Sequence, residues 1–337
     1  MRQDREMGLN AGSFKLVVAI VAGNPLKTYI NRLRRRRRRV KSDSVTEPHA
    51  ISIAAHIASV ARRLRPRTLV PEVAIHGHHT DAWSQALDAR AEVWSHLRGI
   101  ARPATGTLRW WRKRIVVPLL EPHIASIPGG CHALIPDPDI VDTFADKAKF
   151  ARYAEKIGAS HLVPRPIALE RPTFPAVLKR TNLNSGHGVA LVTSQRQLNE
   201  LLAMAPWAGE PVLLQEAVPS RREYVSHVVC VGGRIVWHRT YCYPLSHRGQ
   251  IRRAVDGLAI RRGRARPADI AAFEVLLKPF GYSGPANIDY TRRPDGTLAI
   301  FEINPRLGGS LMRPQNVRDL AGCLRMIVRY AAWRPGR

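Results

Sequence analysis

The chain has 337 residues, 45% of them hydrophobic, with 53 basic against 26 acidic side chains and a net charge of +27. That apolar content supports a packed core and excludes wholesale disorder. No run reaches the ~20 apolar residues of a membrane helix, and the widely spaced Cys131, Cys230, Cys242 and Cys323 offer neither a disulfide framework nor zinc spacing, so a cytoplasmic location with reduced thiols is expected.

Residues 1–50 read as a basic arm. Within it, the apolar run Leu16 to Ala22 follows Lys15 and is short for the apolar region of a signal peptide, so a buried strand is expected. Arg34 to Arg39 is an uninterrupted arginine block that repels itself, as a solvated helix end or a disordered arm does. Contact with RNA, DNA or an acidic membrane surface is expected only through this block. Ile53, Ile57 and Val60 fall at helical spacing and predict a helix over 51–64. Thr68 to Pro71 reads as a strand end, His76-Gly77-His78-His79 as a polar loop, and 81–99 as helix again. Arg109 to Arg114 is basic and aromatic.

Asp142 is placed to cap a helix running to Ile157, which Gly158 would end. Phe150, Ala154 and Ile157 share its inner face, and Lys147 sits near its N-terminal end. Phe174 to Arg180 is a short apolar run ending in Lys179 and Arg180. After it come Ser185-Gly186-His187-Gly188, where two glycines let backbone N–H groups turn towards an anion; an ordinary hairpin turn fits the same residues. Ser194 and Gln197 form a capping box for a helix to about Ala205. Val212 to Val218 is a strand ending in Gln215-Glu216-Ala217, and Glu223 opens a strand that continues from Tyr224 to Val231. Gly232-Gly233 then turns it into a second strand, Arg234 to Tyr241. Tyr243 to Arg266 shows no clear element and is rich in basic residues, among them Arg248, Arg252 and Arg253. Such a loop either attracts an acidic acceptor or is simply solvated. Pro267 to Phe280 is a helix that Gly281 stops.

The most informative segment comes last. Asn287 to Tyr290 and Leu298 to Glu302 read as strands joined by the turn residues Arg293-Pro294-Asp295-Gly296. If Asp295-Gly296 is a two-residue loop, Asp289 faces Glu302; if Pro294-Asp295-Gly296 makes a type I turn with a bulged glycine, the register slips by one. In the first register the oxygens of Asp289, Glu302 and Asn304 converge, a set that suits Mg²⁺. Arg306 adds a planar donor fork for carboxylate or phosphate oxygens.

Taken in order, these residues resemble the ATP-grasp superfamily of carboxylate–amine ligases over roughly residues 141–315. The most specific match runs from Asn287-Ile288-Asp289 through Glu302-Ile303-Asn304-Pro305-Arg306-Leu307-Gly308-Gly309-Ser310. The resemblance implies a mixed α+β architecture: an ATP-grasp domain over 141–330, preceded by a small α/β domain over 51–140. It also implies ATP contacts from Lys147 and Lys179, with a lid from Ser185, Gly186, His187 and Gly188 to Val189. Glu216 with the backbone of Ala217 and Val218 would hold adenine, and Glu223 the ribose. Asp289, Glu302 and Asn304 would hold Mg²⁺ or Mn²⁺, while Lys179 and Arg306 would act in catalysis. Asn287 stands where related ligases often carry an arginine that touches the acceptor, and Pro219 restricts the adenine hinge.

The expected activity is ADP-forming ligation of a small-molecule or peptide carboxylate to an amine. A phosphotransferase on the same scaffold, or a non-catalytic basic protein that binds ATP or nucleic acid, is the alternative. An oligomer is compatible with the sequence.

Overall fold

Period-two patterns along the chain resolve into three sheets. The computed structural model describes residues 71–77, 80–88, 90–100, 114–183, 187–253 and 258–334, all within one compact unit, Arg67–Arg337. The expectations for the basic arm, the 51–64 helix, the Thr68 to Val70 strand end, His78, His79, Arg109 to Lys113, Ser185 and Gly186 lie outside the described residues.

The first sheet has the order β1-β2-β3-β13. Its strands β1 (Glu72–His76), β2 (Arg114–Pro118) and β3 (Cys131–Ala133) are parallel, and β13 (Ala332–Arg334) from the end of the chain adds antiparallel to β3. His76 therefore ends a strand instead of sitting in a loop. Helices α1 (Asp81–Leu87) and α2 (Glu121–Ala125) connect these strands, and the expected 81–99 helix divides into α1 and a 3-10 turn at Glu92–His96.

A second break separates α3 (Pro138–Ala145) from α4 (Lys147–Lys156). Asp146 caps α4, accepting from the Lys149 N–H at 2.8 Å, whereas Asp142 pairs with the Lys149 ammonium instead of capping. The cap is thus one turn later than the sequence pattern suggests, and it puts Lys147 at the first helical position. Gly158 follows the helix in the left-handed region at φ 72°, as expected.

The second sheet, β4-β7-β5-β6, is antiparallel: β4 (Pro166–Ile167), β7 (Val212–Glu216), β5 (Ala176–Arg180) and β6 (Val189–Val192). Alternation along β5 buries Ala176 and Leu178 with Ile167, Val192, Leu198 and Leu214, which turns Val177 and Lys179 to the other face. Helix α5 (Gln195–Leu202) covers the inner side, capped by Ser194 through Gln197 N–H.

The third sheet has the order β10-β9-β8-β11-β12 and is also antiparallel. Its long hairpin, β8 (Arg222–Val231) and β9 (Arg234–Pro244), turns at Gly232-Gly233, both with positive φ. The stretch after Tyr243 holds one short strand, β10 (Arg261–Arg262). Helix α6 (Pro267–Leu277) continues as a 3-10 turn to Phe280 and ends at Gly281 (φ 56°). Strands β11 (Gly284–Arg292) and β12 (Leu298–Asn304) form the last hairpin, and α7 (Val317–Tyr330) packs Leu320, Leu324 and Ile327 into the core shared with Val73, Ile115 and Trp83. The fold is mixed α+β. Among the described residues no helix is long and apolar enough to cross a membrane.

Candidate nucleotide and metal site

The β11–β12 turn takes one expected form and the site takes the other. Arg293 N–H donates to Thr297 O at 2.8 Å and Gly296 has φ 85°, so Pro294-Asp295-Gly296 is the three-residue turn with a bulged glycine. Arg292 pairs with Leu298 and Tyr290 with Ile300, the slipped register. Then the register shifts back, and Asp289 pairs with Glu302. The extra residue is Phe301, a β-bulge. Leu298 and Ile300 before it, and Ile303 after it, face the core. The bulge turns both Phe301 and Glu302 into the cleft.

That cleft lies between the second and third sheets. Lys147, Lys179, Glu223, Asp289, Phe301 and Glu302 line its polar end, and Val177, Leu191, Ala217, Val218 and Leu245 its apolar end. Apolar side chains beside charged ones suit a base and its phosphates.

The charges are arranged in pairs. Lys147 Nζ lies 3.4 Å from Glu302 Oε2 and donates to Leu183 O at 2.5 Å. Lys179 Nζ stands 5.2 Å over the Phe301 ring. Burial lowers the Lys179 pKa to about 8, against the opposing pull of Glu302. Burial also acts on both carboxylates, with opposite outcomes. Asp289 is pushed well above the usual carboxylate range, because desolvation outweighs the Arg252 charge. Glu302 is held low, because Lys147, the Asn304 amide and Lys179 together outweigh its desolvation. A buried pair of carboxylates with pKa values driven apart marks a functional site more often than a structural one.

Asn304 Nδ2 donates to Glu302 Oε1 at 3.0 Å and to Asp289 Oδ2 at 3.4 Å, and Asn287 Nδ2 donates to Asp289 Oδ2 at 2.8 Å. Asn287 Oδ1 is buried without a hydrogen-bond partner among the described residues. Two carboxylates joined by the Asn304 amide give hard oxygens that fit Mg²⁺ or Mn²⁺, whereas Asn287 Oδ1 lies against Gly308, 2.3 Å from where a Cβ would stand there.

The other expected residues are distributed more widely. Glu216 lies at the cleft edge, but its carboxylate accepts from Arg293 at 2.9 Å with Arg165 4.0 Å away. Arg306 reaches away from the cleft lining: its Nε donates to both Glu121 oxygens, at 3.1 and 3.2 Å, and Nη2 donates to Asn304 Oδ1 at 3.4 Å. His187 and Gly188 belong to the β5–β6 connection. His187 is exposed, and Gly188 (φ 62°) lies where a Cβ would meet the Arg180 side chain. Pro219, Ala217 and Val218 border the apolar end.

Four participants were not legible as site residues. Arg252 donates to Glu223 Oε2 at 2.8 Å and to Asp289 Oδ1 at 2.6 Å, with its guanidinium 4.6 Å over Tyr243. Phe301, Tyr243 and Glu121 complete the set. Arg252 was visible only as one of many arginines in a basic stretch, and nothing in its spacing distinguished it.

No family model matches the chain. A curated relative, the arginine-specific large chain of carbamoyl phosphate synthase from Cutaneotrichosporon cutaneum, is 24% identical over 200 residues. The match covers 54% of this chain, which spans 17% of that protein's length. Among solved structures, N5-carboxyaminoimidazole synthase from Aspergillus clavatus, in complex with ADP and a ribonucleotide, is 14% identical with TM-score 0.49, covering 77% of each chain. D-alanine–D-alanine ligase from Bacillus anthracis is 13% identical with TM-score 0.48, covering 77% of this chain and 96% of that one. L-amino acid ligase from Bacillus licheniformis is 17% identical with TM-score 0.46, covering 65% and 56%. Likeness at this level carries no argument, and the chemistry rests on the chain's own side chains.

Proposed function

We propose that the chain is an ATP-dependent ligase that activates a carboxylate as an acyl phosphate and joins it to an amine, forming ADP. The observation that carries this reading is the polar end of the cleft, where Asp289 and Glu302, both bonded to the Asn304 amide, stand beside Lys147 and Lys179.

The apolar end, with the Ala217 and Val218 backbone, would take the adenine, and Glu223 the ribose hydroxyls. Mg²⁺, held by Asp289, Glu302 and Asn304, would supply charge screening along the phosphates. Lys147 and Lys179 would neutralise the remaining oxygens. Because both lysines already stand beside Glu302, their charge is in place before the reaction and needs little reorganisation. Phosphoryl transfer needs positioning and charge neutralisation more than a protein nucleophile. The substrate carboxylate would attack the γ-phosphorus and release ADP. An amine would then attack the acyl carbon and expel phosphate, giving an amide. Arg306, bonded to Glu121 and Asn304 in this structure, would exchange Glu121 for the phosphate of the acyl phosphate.

The test is a phosphate-release screen of carboxylate and amine pairs with Mg-ATP, read by product mass. ADP and phosphate should appear in step with a condensed product. Glu302→Ala and Lys179→Ala should each lower turnover by about 100-fold or more while the protein stays folded. Near wild-type ADP production by either variant would remove the assignment.

A further inference from the structure

Arg252 holds oxygens that the proposed function gives to other groups. One guanidinium donates to Glu223, assigned to ribose, and to Asp289, assigned to the metal. Its side chain is 23% exposed, it stacks on Tyr243, and it lies on the segment between β9 and β10. The cleft's acidic end contains Glu223, Asp289 and Glu302, and its basic groups there are Lys147, Lys179 and Arg252. Three carboxyl groups meet three cationic side chains there.

A divalent cation at Asp289 repels a guanidinium bonded to the same carboxylate. The triphosphate that accompanies the cation brings anionic oxygens, so Arg252 keeps a negative partner when the metal takes Asp289. We propose that Arg252 is an exchangeable counter-ion. It neutralises Glu223 and Asp289, then passes to phosphate oxygens as the metal takes Asp289, and so makes metal and nucleotide binding depend on one another. Arginine suits this because its fork donates as well to phosphate as to carboxylate. Arg252 thereby joins Lys147 and Lys179 as a third phosphate cation, one that the order of motifs along the chain does not disclose.

The inference rests on the proposed nucleotide site, and its test separates the two. Purified full-length wild type, Arg252→Gln and Arg252→Lys are titrated with Mn²⁺ alone, with ATP alone, and with both. Bound Mn²⁺ is read by electron paramagnetic resonance and ATP by equilibrium dialysis. Arg252→Gln should bind Mn²⁺ alone about tenfold more tightly, and ATP alone about tenfold more weakly, with the mutual enhancement reduced. Arg252→Lys, which keeps the charge but not the fork, should fall between and serves if the glutamine variant does not fold. Unchanged Mn²⁺ and ATP affinities in either folded variant, with wild type binding both, would overturn the exchange alone. Failure of wild type to bind ATP with Mn²⁺ would overturn the nucleotide site and the exchange with it.

Discussion

His227 carries a clear pH signature. It is fully buried one row from the carboxylates, pairing across the sheet with Asn287, and its Nε2 lies 2.5 Å from Ser310 Oγ. Its Nδ1 has no hydrogen-bond partner among the described residues. Burial, helped by the nearby Arg306 charge, lowers its pKa to about 3 from the ordinary 6.5. The sign follows directly. Between those values the unfolded chain binds a proton that the folded chain refuses, so stability falls as pH drops from about 6.5 towards 3. Full traverse of that window is worth on the order of 5 kcal/mol. His227→Gln should flatten the acid limb of a urea-midpoint-against-pH profile, and an unaltered acid limb would refute this account. The same residue scale explains why Lys179 was recognisable and Arg252 was not. Lys179 ends a strand whose alternation aims it at the cleft, whereas Arg252 belongs to no element that would fix its direction.

Individual elements here are set by single backbone positions. In the β8–β9 hairpin both turn glycines adopt positive φ, 57° at Gly232 and 78° at Gly233. Only Gly233 is also crowded: a Cβ there would lie 2.5 Å from Lys278 Cα, while nothing lies within 4 Å at Gly232. Gly232→Ala should therefore cost about 1 kcal/mol, and Gly233→Ala about 3 kcal/mol, because steric overlap adds to the backbone strain. Thermal denaturation of the two variants checks the difference, and equal costs would show that the close approach to Lys278 relaxes freely. The β11–β12 hairpin is governed in the same way. Read by simple alternation, Leu298, Ile300 and Glu302 share one face, which would send the carboxylate into the core. Phe301 breaks the phase and sends Glu302 to the cleft.

Among the described residues, the last helix and strand return to the first sheet. Helix α7 fills the core between the first sheet and the β8–β9 hairpin, and β13 completes the first sheet. Asp319 on α7 accepts from Tyr241 at 3.0 Å and from Arg262 at 3.1 Å, and Arg239 lies 2.9 Å away. A chain stopped at Asn316 loses Leu320, Ala321, Cys323, Leu324 and Ile327 from that core. Such a truncation should show no cooperative thermal transition, since three large aliphatic side chains at about 2–3 kcal/mol each, with two small ones, take most of a total of ~10 kcal/mol. A sharp transition would mean that the remaining sheets are self-sufficient. The division into domains over 51–140 and 141–330 stands as a proposal, and α7 and β13 from the later part of the chain pack on the first sheet and its core.

The residues alone specified the mixed α+β class, the long hairpin at Gly232-Gly233, the α6 stop at Gly281 and the placing of Lys179 and Glu302 on strands. Those features depend on local periodicity, turn chemistry and residue type, which neighbours in the chain are sufficient to specify. The tertiary structure alone decided the Phe301 bulge, the pairing of Glu216 with Arg293 and of Arg306 with Glu121, and the place of Arg252 between Glu223 and Asp289. Each of these joins side chains or strands whose partner is chosen by burial and charge in three dimensions, and sequence spacing carries no record of that choice.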